Sequence, residues 1–448
     1  MTRLPRPFRA RRRWIAAAAA VLAASCGAAA AGSPAASARE GGGAGRLPDV
    51  RLLDTLDVPG GAVEAGQPFG GLSGIDYDRA TGRYVALSDD RSELAPARFF
   101  TLRLPLGAQG FAARRPVVES ATVLTGPDGQ PYPRRSVDPE AIRWAPGGRA
   151  VLWASEGVAA AGVPPFVRTA GPDGAHRGEL PVPAAYRPVL GDGGAVVSGV
   201  RDNQAWEGLT LSPDGATVVT LTEDALAQDG PVPGPAVGSR SRLLRQDRAG
   251  GRTTGEFVYP QSPLAEDGTG PAPAQQSGAS ELLAVNETDY LVVERTAFTG
   301  RDFGIRIYWT TTVGATDVAG RRRLDGSERV MRKKLLFDFA TTGVRPDNVE
   351  GLTWGPRLAD GSRSLVLVTD DNFGTFGSPG TRFHLLAVRP GLLAEHTPDL
   401  DRDGTVGPAD LRRLLRSGPA GDLDGSGRND GRDAARWASY ARAFPFPH

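Results

Sequence analysis

Five times between Asp49 and Val388 the chain repeats one unit: an apolar strand that opens on a small or acidic residue, a tight turn, a second apolar strand, and an acidic end. The copies are 72–77 with 84–91, 138–144 with 151–156, 206–211 with 217–224, 280–285 with 290–295, and 348–354 with 365–372. Turn chemistry such as Thr81-Gly82, Pro146-Gly147-Gly148 and Ser212-Pro213-Asp214-Gly215 joins the two strands. The anchors Gly74, Glu140, Glu207, Glu281 and Glu350 recur at roughly seventy-residue intervals, a period that signals a repeat architecture. Further apolar segments follow the hairpins, at 99–104, 242–244 and 383–388 and then at 117–124, 256–259 and 335–339. Four strands per repeat, arranged radially, make a β-propeller blade. The early strand 50–56 is placed to supply the missing outer strand of the last blade and close the ring. The expectation is a mostly β chain with a five-bladed propeller over residues 48–390, with room for a sixth, degenerate blade.

The acids then acquire a common location. In an antiparallel hairpin the start of the first strand and the end of the second lie side by side. Glu140 should therefore meet Glu156, Glu207 should meet Glu223, Glu281 should meet Glu294, and Glu350 should meet Asp370. In a closed ring these acids, with Asp89, Asp90, Asp224 and Asp371, converge on one mouth of the central channel. Crowded carboxylates raise each other's pKa or recruit a cation, and all-oxygen sites suit Ca²⁺. A bound Ca²⁺ can polarise a phosphate and orient a water. Glu140, Glu207 and Glu350 are the candidate ligands or bases. Arg91 and Arg295, each directly after an acidic strand end, are candidate phosphate clamps.

The same hairpins, most clearly Trp206-Glu207-Gly208-Leu209 and Val349-Glu350-Gly351-Leu352, resemble the phytase-like domain family, which is described as having esterase-like activity. The resemblance spans the propeller region and implies a phosphomonoester or phosphodiester hydrolase built on the recurrent acids. Two other readings stand beside it: a non-catalytic binding propeller, and a calcium-dependent lactonase or other esterase. Other chemistries find little in the sequence. The four histidines (His176, His384, His396, His448) form no His-Glu-x-x-His motif, and no Gly-x-Ser-x-Gly elbow or phosphate-binding glycine loop occurs.

Residues 397–446 carry a different signature. Asp399, Asp401, Asp403 and Asp410 occupy positions 1, 3, 5 and 12 of a calcium loop, with Gly404 at the sharp turn and the Thr405 carbonyl at position 7. Asp422, Asp424, Ser426, Arg428 and Asp433 repeat the arrangement, and a helix-like run follows each loop. Both loops end in Asp where an EF-hand has Glu. The pair resembles the type I dockerin module, a small α-helical, EF-hand-like unit, and that resemblance implies a cohesin-like protein partner. A free-standing calcium-stabilised tail is the rival.

The first 32 residues read as an export signal, with a run of arginines from Arg3 to Arg13 ahead of the apolar run 14–24, which is too short to span a bilayer. An anchor left in place is the alternative. Arg11-Arg12-Arg13-Trp14-Ile15 faintly resembles a twin-arginine signal. The single cysteine, Cys26, sits in Leu22-Ala23-Ala24-Ser25-Cys26, which resembles a lipobox with Ala23 where Leu is usual. Lipidation would tether the chain to the cell envelope; otherwise it is free outside the cell or in the periplasm. Residues 33–47 follow as a flexible Ala/Gly/Ser spacer. With 52 Lys+Arg against 51 Asp+Glu, the chain lacks the basic excess that nucleic-acid partners call for.

Overall fold

The computed structural model describes residues 49–107, 109–264, 274–299, 303–375, 377–416 and 421–445. The export signal, Cys26 and the spacer lie outside these residues. No described helix is long and apolar enough to cross a membrane.

Residues 50–388 form one compact unit, a five-bladed β-propeller of five four-stranded antiparallel sheets. The inner strands are Leu72–Asp78, Pro139–Trp144, Trp206–Leu211, Ala274–Ala284 and Val349–Arg357. They pack around the axis in chain order, and the fifth meets the first. The ring closes as the sequence suggests: Val50–Pro59 pairs antiparallel with Gly380–Val388, from Val50↔Val388 to Pro59↔Gly380, with a bulge between Leu52 and Asp54. There is no sixth blade among the described residues. The segment between the second and third blades that could have held one contains only a short hairpin, Val189–Leu190 with Val196–Ser198.

The second strands of the blades are largely apolar and buried because both their faces are covered. In Arg83–Ser88, Tyr84 and Ala86 pack toward the fifth blade, against Val366, Val368 and Phe383. Val85 and Leu87 point the other way, to Ile142, Val151 and Trp153 of the second blade. Alternation along a strand thus feeds two inter-blade cores, and each buried Leu or Val adds roughly 1.5–3 kcal/mol.

All five inner strands carry a β-bulge at the same level, after Leu72, Pro139, Trp206, Ala279 and Val349. The extra residues are Ser73, Glu140, Glu207, Ser280 and Glu350. The next position faces the crowded axis and is Gly74, Ala141, Gly208 or Gly351 in four blades. A Cβ on Gly74 would lie 2.7 Å from the Ile142 nitrogen, and one on Gly208 2.7 Å from the Leu282 Cβ. In the fourth blade this position is Glu281, and its carboxylate meets the buried guanidinium of Arg143 at 2.7 Å. Arg143 also donates to the carbonyls of Ile75 (2.6 Å), Ile142 (2.9 Å), Leu282 (3.1 Å) and Leu352 (3.2 Å). One side chain therefore ties four inner strands across the axis.

The second unit includes, among the described residues, Asp49 and residues 389–416 and 421–445. Its described helices are α1, Pro408–Leu414, and α2, Gly431–Ala443. Asp410 Oδ1 accepts from the Leu400 (2.7 Å) and Asp401 (3.2 Å) nitrogens while Oδ2 accepts from Gly407 N (2.7 Å). Asp433 repeats this with Leu423 (2.8 Å), Asp424 (3.1 Å) and Asp430 (2.6 Å). The last aspartate of each loop thus pins the loop's start to the start of its helix.

Removing Arg143 leaves Glu281 buried and unpaired, so Arg143→Ala should lower the unfolding free energy by about 3–5 kcal/mol. The apolar pair Arg143→Met with Glu281→Leu should recover much of that loss in the same urea titration.

Candidate active site at the propeller mouth

The bulge turns the acidic inner-strand residues toward the ends of the second strands. Those ends supply an equivalent ring: Asp89, Glu156, Glu223, Arg295 and Asp370, each one residue beyond the pairs Leu72↔Ser88, Pro139↔Ser155, Trp206↔Thr222, Ala279↔Glu294 and Val349↔Thr369. Two carboxylate triads form there. Asp89, Asp138 and Glu140 bring one oxygen each within 4.8 Å of one another, and so do Glu140, Glu156 and Glu207. Glu140, Glu207 and Glu350 are each only 6% exposed.

Burial first, and the neighbouring charges second, push the Asp89, Glu140, Glu156 and Glu207 carboxyls well above the usual range. For Asp370 burial and then the Glu350 charge act in the same direction. Burial also raises Glu350, against the opposing pull of Arg295. Arg295 bridges the ring, donating to Glu350 Oε1 (2.7 Å), Glu223 Oε1 (2.6 Å) and Asn348 Oδ1 (2.8 Å). Arg91 grips Asp138 through Nε (2.7 Å) and Nη2 (2.5 Å), and Nη2 also reaches Asn203 Oδ1. Its side chain stays 39% exposed at the rim. Glu156 accepts from the Ala205 nitrogen. The Glu207 carboxylate has no hydrogen-bond or ion-pair partner among the described residues, and Asp89 Oδ1 and Glu223 Oε2 are buried without one.

Several expected mouth residues stand elsewhere. Glu281 lies one position past the bulge and serves the axial pair with Arg143; the true counterpart of Glu140 in that blade is Ser280, whose hydroxyl donates to Val349 O at 3.0 Å. Glu294 faces outward from the ring to Tyr259 Oη (2.7 Å) and Lys333. Asp90 organises the following loop, accepting from the nitrogens of Glu93, Leu94 and Ala95 and from Arg98 Nη1. Asp371 accepts from Gly71 N (2.7 Å) and Phe373 N (3.1 Å). The Gln261 amide donates to Asp224 Oδ1 at 2.8 Å, and burial lifts the Asp224 carboxyl to about 8.

Asp138 and Asn348 are the site residues that went unrecognised. Each stands two places before a bulged glutamate, in Asp138-Pro139-Glu140 and Asn348-Val349-Glu350, and that shared offset was the available signal.

In the tail, Asp399, Asp401 and Asp410 cluster, as do Asp422, Asp424 and Asp433. Asp399 Oδ1 is buried without a partner. Asp403 turns to the Thr405 nitrogen (2.8 Å) and hydroxyl (2.7 Å), outside the first cluster. Ser426 Oγ makes a long contact to the Arg428 carbonyl at 3.3 Å, and Arg436 stands 3.4 Å from Asp424.

A family profile described as "Phytase-like: Esterase-like activity of phytase" matches residues 67–373, most of the propeller. The chain belongs to the phytase-like family. No curated protein matches it. Among solved structures, this phytase-like chain is similar to the catalytic domain of a family 62 α-L-arabinofuranosidase from Coprinopsis cinerea, at 12% identity over 76% of this chain and 98% of that one, with a TM-score of 0.39. It is also similar to an exo-β-1,3-galactanase from Clostridium thermocellum, at 8% identity over 75% of this chain and 62% of that one, with a TM-score of 0.40.

In EDTA the mouth should make the phytase-like propeller pH-sensitive. Carboxyls whose folded pKa is raised hold protons that the unfolded chain releases, so stability falls as pH rises from the ordinary carboxylate range near 4 toward the folded values. Because the mouth carboxyls Asp89, Glu140, Glu156 and Glu207 are all raised well above the usual range, the melting temperature should drop as pH rises above that ordinary range. Ca²⁺ should flatten that slope, and Glu207→Gln should reduce it.

Proposed function

We propose that the chain is an exported, calcium-dependent phosphoester hydrolase whose reaction takes place in the acidic mouth. One observation carries this reading: Glu207, a nine-tenths-buried residue whose side chain has no hydrogen-bond or ion-pair partner among the described residues, within a set of acids that the fold gathers from several blades. Burying charge without a partner costs several kcal/mol, and a site that tolerates this is organised for a ligand that supplies positive charge. The donors are all oxygens, which fits a hard cation such as Ca²⁺. When bound, Ca²⁺ would lend Lewis acidity to a phosphoryl oxygen.

The chain's own residues do the rest. Glu140, Glu156 and Glu207 would hold the cation. Arg91, fixed by Asp138 and Asn203, faces the rim and pairs with a second phosphoryl oxygen through its remaining N–H groups. Arg295 sits deeper and positions Glu350 and Glu223 rather than meeting the substrate. Water attack on phosphorus releases one proton and the leaving oxygen takes one up. Neighbouring carboxyls with raised proton affinity can accept and return it.

A non-catalytic binding propeller is favoured by one feature, namely that both arginines are already engaged by acids in the mouth. Hydrolysis of p-nitrophenyl phosphate, bis-p-nitrophenyl phosphate, phytate and a lactone, with Ca²⁺ and with EDTA, separates the readings. Calcium-dependent release from a phosphoester is expected. Glu207→Gln should lower kcat/KM by more than the roughly 10–100-fold that loss of an outer ligand partner costs. Turnover of the lactone alone would assign the mouth to that esterase chemistry, and silence across the panel would leave the binding role.

For the tail we propose calcium binding by both loops and docking to a cohesin-like protein. Asp399 Oδ1 is available in the first loop, whereas Arg436 already stands beside Asp424 in the second. The first loop should therefore bind more tightly. EDTA should remove the helical far-UV CD signal of α1 and α2 while the β signal persists. An unchanged spectrum would exclude a metal-dependent tail.

A further inference from the structure

The exposed large apolar side chains of the propeller are unevenly spread. Two of them, Val117 and Leu335, lie on outer strands, and all the others lie on connections at the mouth end. None lies on a described connection at the opposite end. Solvent-exposed apolar residues that gather on one face mark an interaction surface.

Five of them belong to one assembly of loops beside the mouth. Val189, Leu190 and Val197 stand on the short hairpin between the second and third blades, and Val232 and Val237 on the loop that follows Asp224. Gln228 fastens these segments together. Its Oε1 accepts from Gly199 N (2.8 Å) and Ser198 Oγ (3.3 Å), and its Nε2 donates to the carbonyls of Ala185 (3.0 Å) and Arg322 (3.1 Å). Arg322 belongs to a third segment, the connection 312–331, which climbs the outer strand of the third blade through Val318 N to Glu256 O (2.8 Å) and reaches Asp229 through Leu324 N (2.9 Å). Arg322 and Arg323 are exposed and have no carboxylate partner among the described residues. Residues 188–198 and 230–238 carry a single charged side chain, Asp192. The assembly borders the mouth directly, because Ala205, just past the hairpin, donates its N–H to Glu156 and the second loop begins at Asp224.

Apolar tips beside unpaired guanidiniums complement a bilayer that carries anionic lipid: the tips enter the acyl boundary and the arginines meet headgroup phosphates. The valines stand on separate loops and not in one shaped groove, and a fluid surface receives such tips without matching their outline. We propose that this patch docks the mouth face onto an anionic lipid bilayer, and that the phosphoester offered to the mouth is a phospholipid headgroup. There the attacking water's oxygen bonds to phosphorus as a P–O ester bond breaks, and the leaving oxygen takes up a proton. The substrate assignment rests on the hydrolase reading; the docking surface does not.

Co-sedimentation of the full chain with vesicles of phosphatidylcholine, alone or with added phosphatidylglycerol, tests the docking surface at fixed Ca²⁺. Wild type should bind the anionic vesicles more tightly, and less so as salt is raised. Arg322→Ser with Arg323→Ser should weaken binding to the anionic vesicles about twenty-five-fold, at roughly five-fold per arginine, and leave phosphatidylcholine binding unchanged. Val197→Ser with Val237→Ser should weaken binding to both by about ten-fold or more. All four changes lie at exposed positions, so Tm and turnover of p-nitrophenyl phosphate should match wild type. Wild type left in the supernatant, or both pairs binding as wild type does, would overturn the docking surface. So would patch variants that change only self-association, which would give the patch to a second copy of the chain. Vesicle binding without turnover of any phosphoester would keep the docking surface and overturn the hydrolase reading. Binding with turnover of p-nitrophenyl phosphate but none of the vesicle lipid would overturn the substrate assignment alone.

Discussion

The Arg143 guanidinium donates to backbone carbonyls of four blades while pairing with the Glu281 carboxylate. A buried guanidinium is tolerable when most of its donors find acceptors; here the two Nη groups do, chiefly in carbonyls of the ring itself, while Nε is buried without a partner. The small residues Gly74, Ala141, Gly208 and Gly351 leave the room this requires. The pair itself is almost wholly buried, with side-chain exposures of 3% and 0%.

The architecture was legible because it is written in period and turn chemistry. Five hairpins with similar spacing implied five blades, and the apolar strand near the start of the propeller implied closure of the last. The mouth was legible only in part. Glu281 was aligned with Glu140 and Glu207 because all three are glutamates, but a bulge shifts register by a single residue, and nothing in Ser280-Glu281-Leu282 reveals which side of that shift the acid occupies. Asp89-Asp90 and Asp370-Asp371 look alike as pairs. Backbone nitrogens claim Asp90 and Asp371, and such local hydrogen bonding depends on loop conformations that the sequence does not display. Arg295 was expected to clamp a ligand and instead neutralises two of the chain's own glutamates.

The same economy of charge appears away from the axis. Arg98 with Asp90, and Arg242 with Asp229 and Glu256, are buried ion pairs at the starts of the third strands of two blades. They fix loops and outer strands where polar backbone would otherwise go unsatisfied. The acids left without such partners are concentrated at the mouth, and that contrast between matched and unmatched charge distinguishes the site from the many other carboxylates of the chain.

The pairing of Val50–Pro59 with Gly380–Val388 sets the order of events during synthesis. The strand that completes the last blade is among the first parts of the propeller to leave the ribosome, and its partner is the last. The ring cannot lock until residue 388 has emerged, so the growing chain carries an unpaired strand edge for the whole of its translation. Closing so long a loop is entropically slow. Until then the four blades built from consecutive strands can form, while the fifth blade and the ring wait for the two ends of the propeller to meet.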